Sequence, residues 1–236
     1  MKSHAVDKDT VNLDRELAKI KASLLKKYHI VFKDELDKND RLDIEPLKLE
    51  LIDNYDDVPP TNHMTPFATP RHLQEAADKE LNKLLAAGVL EKVEHPTEWC
   101  SRGFFVQKNT YGGTPKVRLV RDLRGVNKIL KRVGHLLDGS SHILKRLEPS
   151  DKFYAVCDLS MGYHQLELHE DSKDLFSIVL PQGKFRYACM PQGAGPSSDL
   201  FNIHTDPQVR GCKGIYKISC LLPPPQDIWN RKWKKS

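Results

Sequence analysis

The sequence predicts an α/β (α+β) fold, in which helices flank strands, preceded by an N-terminal arm that is helical and then extended. Three patterns in the 236 residues support this fold class. Apolar residues recur at helical spacing in two segments, and two pairs of strand-like segments are each joined by a turn that contains glycine. In addition, the mostly apolar residues Phe153–Cys157 are typical of a short strand buried on both faces.

The N-terminal arm is expected to span residues 1–66. Four of its apolar residues follow one another at steps of four, three and four, which places them on one face of an amphipathic helix: Leu13, Leu17, Ile20 and Leu24. Residues 33–65 are acidic and contain the pairs Pro59-Pro60 and Thr65-Pro66. This composition predicts a linker or an extended arm.

A second helix is predicted to begin near Thr69 and to end at Gly88. Thr69 suits the capping position, and Pro70 suits the first helical position because it has no N–H to leave unbonded. Apolar residues at helical spacing predict its buried stripe: Leu73, Ala77, Leu81, Leu84 and Leu85. Glycine readily adopts the left-handed conformation with which many helices end.

The segments Phe104–Lys108 and Lys116–Val120 predict a β-hairpin with its turn at Tyr111–Gly113. Side chains alternate along a strand, so Lys116, Arg118 and Val120 share one face, and Lys108 lies across the turn. Two or three cations on one face can bind a triphosphate. Exposed lysines on a hairpin are equally ordinary, and the spacing alone does not separate the two interpretations.

Asp158 stands near the C-terminal end of the predicted strand Phe153–Cys157. A carboxylate at this position can hold a cation at the rim of a sheet, or it can cap a turn. A turn of small residues follows at 160–162. The partial alternation of His164–Leu168 then predicts a half-exposed strand.

A second hairpin is predicted from Phe176–Leu180 and Phe185–Met190, with its turn at Pro181–Lys184. A loop expected to be flexible, Pro191–Pro196, follows, and Ser197 or Ser198 is expected to cap a helix. A glycine-rich loop before a helix can contact a phosphate or a base. This one lacks the Lys-[Ser/Thr] of a P-loop, so a simple connecting loop is the alternative.

Charge is distributed unevenly. Residues 101–146 carry net charge +9, whereas residues 1–100 and 147–206 each carry −5. The basic segment is therefore a candidate polyanion site, or else a solvated basic face. The five cysteines are widely spread without zinc spacing, which favours reduced, buried thiols. No signal peptide or transmembrane pattern is found, so we expect a soluble protein of the cytoplasm or nucleus.

Several short motifs, in order, resemble the reverse transcriptase of gypsy-like LTR retrotransposon polyproteins over roughly residues 45–218. The motifs are Ala87–Leu90, Pro96–Ser101, Lys116–Lys128, Asp158–Gln165, Pro181–Tyr187, Met190–Gly193, Ser198–Phe201 and Thr205-Asp206. The resemblance implies the fingers and partial palm of a right-hand polymerase over residues 67–218, with a mixed sheet. It implies addition of deoxynucleotides to a primer on an RNA or DNA template, with two Mg²⁺ ions as cofactors.

The resemblance also assigns site residues. Asp158 matches the first metal ligand and catalytic carboxylate, and the backbone carbonyl of Leu159 matches the second metal contact. The nucleotide-binding residues that it implies are Tyr163 under the sugar, Gln192 on the incoming nucleotide, and Lys108 and Arg118 on the triphosphate. The implied partners are a template–primer and a deoxynucleoside triphosphate.

The sequence departs from the family after Gly214–Ile218, where two adjacent aspartates should follow. It continues instead as Ser219–Pro225, and neither Asp206 nor Asp227 is placed to substitute. One carboxylate cannot neutralise two divalent ions, so negligible polymerase activity is expected from this chain alone. The abrupt change favours a truncation, an altered reading frame or a splice, followed by a divergent basic tail at 219–236.

Two alternatives to a polymerase fragment remain open. In the first, the basic segment 101–146 makes the chain a non-catalytic nucleic-acid-binding protein. In the second, the incomplete palm sheet does not fold cooperatively and exposes an edge strand that promotes aggregation.

Overall fold

A computed structural model describes residues 8–29, 37–63, 65–108, 115–135 and 159–209, with residues 8–14 and 206–209 described by their backbone only. Its contacts divide the chain into two units, residues 1–36 and residues 37–236. The predicted strand Phe153–Cys157, Asp158 and the tail 219–236 lie outside the described residues.

The first unit contains helix α1, Lys8–Lys27. This confirms the helix predicted from the apolar spacing. Its basic last turn, Lys26 and Lys27, suits the negative end of the helix dipole. Ile20 and Leu24 on the apolar face are exposed.

The second unit is built on a mixed five-stranded sheet in the order β1-β5-β4-β2-β3. The strands are β1 Leu90–Lys92, β2 Ser101–Gln107, β3 Val117–Arg121, β4 Ser177–Leu180 and β5 Gly183–Tyr187. Strands β2 and β4 run parallel, and the other neighbours run antiparallel. Both predicted hairpins are confirmed as β2–β3 and β4–β5. The short strand β1 was not predicted.

Helix α2, Gln74–Ala86, packs on this sheet and buries Ala77, Leu81 and Leu84 of the predicted stripe, with Ala77 fully inaccessible. Leu85 is half-buried, and Leu73 is buried but lies before the helix. The helix begins later than the sequence predicts, because Pro70 precedes a 3-10 turn, Arg71–Leu73, and no side chain caps that turn. Gly88 ends the helix as predicted, with a φ of 63°. The Gly88 N–H donates to the Leu85 carbonyl, which closes the last turn.

Residues 37–63 differ from the predicted linker because they pair with the body of the second unit. The Leu47 N–H donates to the Glu167 carbonyl at 2.8 Å, and the His63 N–H donates to the Cys100 carbonyl at 2.8 Å. Leu49 is buried. The segment is extended, as the second of the two predicted alternatives has it, and its backbone bonds and its buried leucine make it part of the second unit.

The predicted half-exposed strand His164–Leu168 is wrong in its first part. Gly162–Gln165 form a 3-10 helix, and only Glu167 and Leu168 make isolated bridges. Met161 has a φ of 51°, which turns the chain so that the His164 N–H reaches the Met161 carbonyl. Helix α3, Glu170–Lys173, and helix α4, Ser197–Val209, complete the unit together with 3-10 turns at Tyr55–Asp57, Val126–Lys128 and Asp174–Phe176.

An ion-pair network joins β1, β5 and α3. The guanidinium of Arg186 contacts the carboxylates of Glu91, Glu170 and Asp174, and Arg186 is only 15% exposed. Lys173 also contacts Glu91 and Glu170. Because several acids share each cation, the network fixes the approach of three elements to one another. Within the described residues, no helix has the length and apolarity to cross a membrane.

Candidate nucleotide-binding site

The loop Pro191–Pro196, which connects β5 to helix α4, is anchored at several backbone positions. The Asn127 amide spans it, since Nδ2 donates to the Gly193 carbonyl at 3.0 Å and Oδ1 accepts from the Gly195 N–H at 2.8 Å. The Ser197 hydroxyl donates to the Pro191 carbonyl at 2.8 Å. The sequence predicted a flexible loop, whereas these bonds hold its backbone in place.

Gln192 lies in this loop with its side chain exposed. Its backbone carbonyl accepts a hydrogen bond from the Arg121 guanidinium. Gly193 follows with a φ of 93°, a conformation that a residue with a Cβ would adopt only under strain. The loop therefore presents the Gln192 side chain to solvent from a backbone that is fixed on both sides.

Arg121, at the end of β3, packs on Tyr187 of β5. The guanidinium carbon lies 4.4 Å from the centre of the ring, and Nη1 donates to the Tyr187 hydroxyl at 2.7 Å. Tyr187 is buried, and burial raises the pKa of its hydroxyl, so the phenol remains neutral and accepts this bond. Arg121 thus connects the sheet to the Gln192 loop.

Tyr163 lies against the start of helix α4, which follows this loop. Its hydroxyl oxygen is 3.2 Å from the Ser198 Oγ, and its ring packs edge-on against Phe201 with 5.4 Å between ring centres. A backbone bond from the Met190 N–H to the Leu166 carbonyl, 2.8 Å, brings the two segments together. Tyr163 and the loop Pro191–Pro196 therefore belong to segments that are bonded to each other, and the nucleotide-binding roles of Tyr163 and Gln192 stay a prediction.

His164 is mostly buried between these elements, with its ring centre 6.2 Å from that of Tyr187. Burial, together with the charges of Arg121 and Arg41, lowers the pKa of His164 to about 4. The imidazole is therefore neutral at pH 7. Among the described residues, none forms a hydrogen bond with its Nδ1.

Lys108 and Arg118 are both exposed on the β2–β3 hairpin. Val106 pairs with Arg118, and the Lys108 N–H donates to the Lys116 carbonyl at 2.7 Å, so the two cations share a face. Alternation places Arg121 on the opposite face. The structure therefore brings Lys108 and Arg118 together but puts neither in contact with Tyr163 or Gln192. The turn between the strands, residues 109–114, lies outside the described residues.

Leu159, whose carbonyl was assigned to a metal, is described with its side chain 45% exposed, whereas Asp158 lies outside the described residues. No three His, Cys, Asp or Glu side chains in the described part of the chain are grouped so that they could hold a metal ion. The described residues alone therefore do not fit the two-magnesium centre of the family that the sequence resembles.

In the described part of the basic segment 101–146, several cationic side chains are already bound to other groups of the protein. Arg124 is paired with Asp122 at 2.6 Å, and Lys131 with Glu50 at 2.7 Å. Arg102 lies over the exposed ring of Phe67, 5.1 Å from its centre. Arg121 is half-buried and bound as described above, and the other described cations of the segment are exposed: Lys108, Lys116, Arg118, Lys128 and Arg132.

Arg121, Asn127, His164 and Tyr187 were not assigned to the site from sequence. All four lie within motifs that carry the resemblance, but their contacts join residues more than twenty positions apart. Arg121 and Gln192, for example, are 71 residues apart in the chain. A tyrosine in a predicted strand, Tyr187, could have indicated one of these contacts, because a buried phenol hydroxyl needs a polar partner.

Comparison with known proteins identifies one family. Residues 106–222 match the family described as reverse transcriptase (RNA-dependent DNA polymerase). The chain is 25% identical over 162 residues to the Gag-Pol polyprotein of walleye dermal sarcoma virus, covering 69% of this chain and 9% of the polyprotein. It is 28% identical over 148 residues to that of feline leukemia virus, covering 59% of this chain and 8% of the polyprotein. The match thus spans less than a tenth of these relatives.

The fold is similar to solved structures of the foamy virus protease-reverse transcriptase. The native prototype foamy virus enzyme has a TM-score of 0.66 at 16% identity, over 92% of this chain and 28% of that chain. The foamy viral enzyme in complex with an RNA/DNA hybrid has a TM-score of 0.65 at 20% identity, over 89% of this chain and 28% of that chain. At this identity the likeness concerns the fold, which agrees with the predicted fingers and palm.

Proposed function

Because residues 106–222 belong to the reverse transcriptase family, we propose that the chain is a retroelement-derived polymerase fragment that binds a template–primer and a deoxynucleoside triphosphate. The gypsy-like origin rests on the motifs Lys116–Lys128 and Asp158–Gln165. The family adds deoxynucleotides to a primer. Two of the similar foamy viral structures are complexes with double-stranded DNA or an RNA/DNA hybrid, which supports nucleic acid as the partner class.

The observation that carries the proposal is that the segment of Tyr163 is bonded to the segment that carries the anchored loop of Gln192. The two side chains belong to segments that are bonded to each other, and Ser198 links the tyrosine hydroxyl to the start of α4. An aromatic ring beside an exposed amide offers a nucleotide a flat surface for its sugar and a hydrogen-bonding group. Holding both on a fixed backbone lowers the entropic cost of binding.

Catalysis by this chain alone is proposed to be negligible. Asp158 is the single carboxylate that matches the metal ligands of the family, and the sequence after Ile218 holds no adjacent aspartates. Mg²⁺ in the family would supply charge stabilisation at the transferred phosphate. With one ligand of three, most of that stabilisation is lost, because preorganised charge is the largest contribution to such reactions.

A nucleotide titration tests the proposal. A fluorescent deoxynucleoside triphosphate is titrated into the full chain with a template and a dideoxy-terminated primer. Gln192→Ala should weaken binding by about tenfold, and Tyr163→Val should improve binding of the matching ribonucleotide. Gln74→Ala, at an exposed glutamine on α2, is the matched control. Equal affinities for all three variants and the parent would refute the assigned site.

Primer extension tests the catalytic part separately. With Mg²⁺ or Mn²⁺, the expected result is no template-dependent product. Extension that Asp158→Asn abolishes would show that the chain is an active polymerase and would overturn the proposed inactivity.

The exposed cations of the β2–β3 hairpin favour a second candidate, a non-catalytic nucleic-acid-binding protein. Lys116 and Arg118 are exposed on one face, and Lys108 lies opposite Lys116. In this case affinity for single-stranded RNA should fall steeply with salt and drop in Lys116→Glu/Arg118→Glu, while Arg124→Glu, at a cation already paired with Asp122, has a smaller effect. Salt-independent binding, or equal losses for both variants, would exclude this candidate.

A further inference from the structure

Arg121 has no carboxylate partner among the described residues, in contrast to Arg124 and Arg186. Arg124 pairs with Asp122, and Arg186 contacts three acids. Arg121 is instead bound to a phenol, an aromatic face and a backbone carbonyl. A half-buried cation without an anion is unusual, because desolvation of a charge is costly unless it is compensated. Its charge therefore remains available to the groups around it.

The contacts of Arg121 fix its guanidinium in one plane. Stacking on the Tyr187 ring at 4.4 Å sets the plane, and the bond to the Tyr187 hydroxyl at 2.7 Å sets the rotation within it. Nη2 then donates to the Gln192 carbonyl, while Nε is buried without a hydrogen-bond partner among the described residues. A lysine could keep the charge, but its single ammonium could not reproduce the stacked, forked arrangement.

The Gln192 carbonyl is the position at which Arg121 holds the backbone of the loop Pro191–Pro196. Asn127 holds Gly193 and Gly195 on one side, and Ser197 holds Pro191 on the other. Between these anchors, Arg121 alone among the described side chains bonds to the backbone of Gln192. Because Gly193 tolerates almost any backbone conformation, the peptide between residues 192 and 193 is free to rotate once this bond is lost. Rotation of that peptide redirects the Gln192 side chain.

We propose that Arg121 is a positioning residue for nucleotide binding. It fixes the peptide between residues 192 and 193, and it places a positive charge without a carboxylate partner next to the loop Pro191–Pro196. The inference rests on the proposed function for its ligand, a nucleoside triphosphate. The charge favours the polyanionic triphosphate over neutral nucleosides, because opposite charges attract more strongly near a partly desolvated group. Arg121 acts through the loop and touches no substrate.

Two measurements on the full chain test this role. Hydrogen exchange of the peptide that covers residues 190–196 reports the loop anchor without any ligand. Titration with a fluorescent deoxynucleoside triphosphate, and separately with a template–primer, reports the two affinities. Arg121→Met is compared with Arg124→Met, which removes an exposed arginine from the same segment.

Arg121→Met should speed exchange in residues 190–196 and weaken nucleotide binding about tenfold, with template–primer affinity unchanged. Arg121→Lys should restore part of the nucleotide affinity and little of the loop protection. Arg124→Met should change neither quantity. A purely structural role would lower both affinities together, and that result, or unchanged loop exchange in Arg121→Met, overturns the inference.

The two proposals fail in different ways. If the parent chain binds no nucleotide, the proposed function fails, while faster loop exchange in Arg121→Met still supports the anchoring role. If Arg121→Met does not unfold cooperatively, Arg121→Lys is compared with the parent chain instead. In that case unchanged loop exchange and nucleotide affinity in Arg121→Lys would overturn the inference.

Discussion

Gly162→Ala is predicted to disturb the support of Tyr163 and to destabilise the second unit. A Cβ at position 162 would lie 2.9 Å from Cζ and 3.1 Å from Cε2 of Phe201, and 3.6 Å from Cβ of Leu159. Carbon atoms pack at about 3.5–4.0 Å, so the Phe201 ring must move by roughly 0.5–1 Å. The same ring packs edge-on against Tyr163.

Overpacking of this kind costs about 1–3 kcal/mol. The lower half of that range applies here, because the obstructing atoms are at the far end of a half-buried ring that can swing aside. For a domain of this size, each kcal/mol lowers Tm by about 2–4 °C. Gly162→Ala should therefore lower Tm by a few degrees.

Thermal unfolding followed by circular dichroism measures this shift. Gly134→Ala is the matched control, because a Cβ at that position meets nothing within 4 Å. The alanine there should leave Tm unchanged or raise it slightly by restricting the unfolded chain. Equal Tm values for the two variants would refute the close contact between Gly162 and Phe201.

Two further predictions concern charge. His164 has a pKa of about 4 in the fold, below its ordinary value of 6.5. Between these two pH values the unfolded chain therefore binds more protons than the folded chain does. The free energy of unfolding should fall as the pH is lowered from 6.5 towards 4, by up to about 3 kcal/mol. Urea unfolding across this range should show a flatter profile for His164→Phe than for the parent or for His72→Phe at an exposed site, and an unchanged profile would contradict the buried, neutral imidazole. Arg186→Met should cost about 2–4 kcal/mol in urea unfolding, because it removes the one cation that contacts all three of Glu91, Glu170 and Asp174 and leaves Lys173 to bridge only the two glutamates. Lys92→Met at an exposed pair should cost less than about 1 kcal/mol. A loss no larger than that of Lys92→Met would show that the network adds no stability.

Local patterns predicted much of the fold because the interactions behind them are local. The apolar spacing of Leu73–Leu85 and the left-handed Gly88 determine helix α2 and its end, and the alternation in Lys116–Val120 determines which side chains share a face. The alternation of polar and apolar residues gave a wrong prediction where the backbone conformation of a preceding residue decided the local structure. His164–Leu168 alternates as a strand does, but the left-handed Met161 turns the chain so that His164 and Gln165 lie in a 3-10 helix, and only Glu167 and Leu168 make β-bridges.

The net charge of a segment indicated where a basic region lies, but it did not indicate which individual side chains are available to bind a ligand. The net charge of the segment 101–146 marked a basic region, yet Arg121, Arg124 and Lys131 in it are bound to groups of the protein itself. The acidic composition of residues 33–65 suggested a linker or an extended arm, but the backbone bonds of the described residues 37–63 make these residues part of the second unit. Composition does not report which charges find partners, because those partners come from distant parts of the chain.

The sequence by itself indicated the resemblance to reverse transcriptases, both hairpins, and the candidates Tyr163 and Gln192, because motifs in a fixed order reflect ancestry and local periodicity reflects secondary structure. Only the tertiary structure decided that the Gln192 loop is anchored, that Arg121 and Asn127 anchor it, and that His164 is neutral. These properties depend on burial and on hydrogen bonds between residues far apart in the chain. Such contacts exist only once the sheet has brought β3 and β5 into one unit.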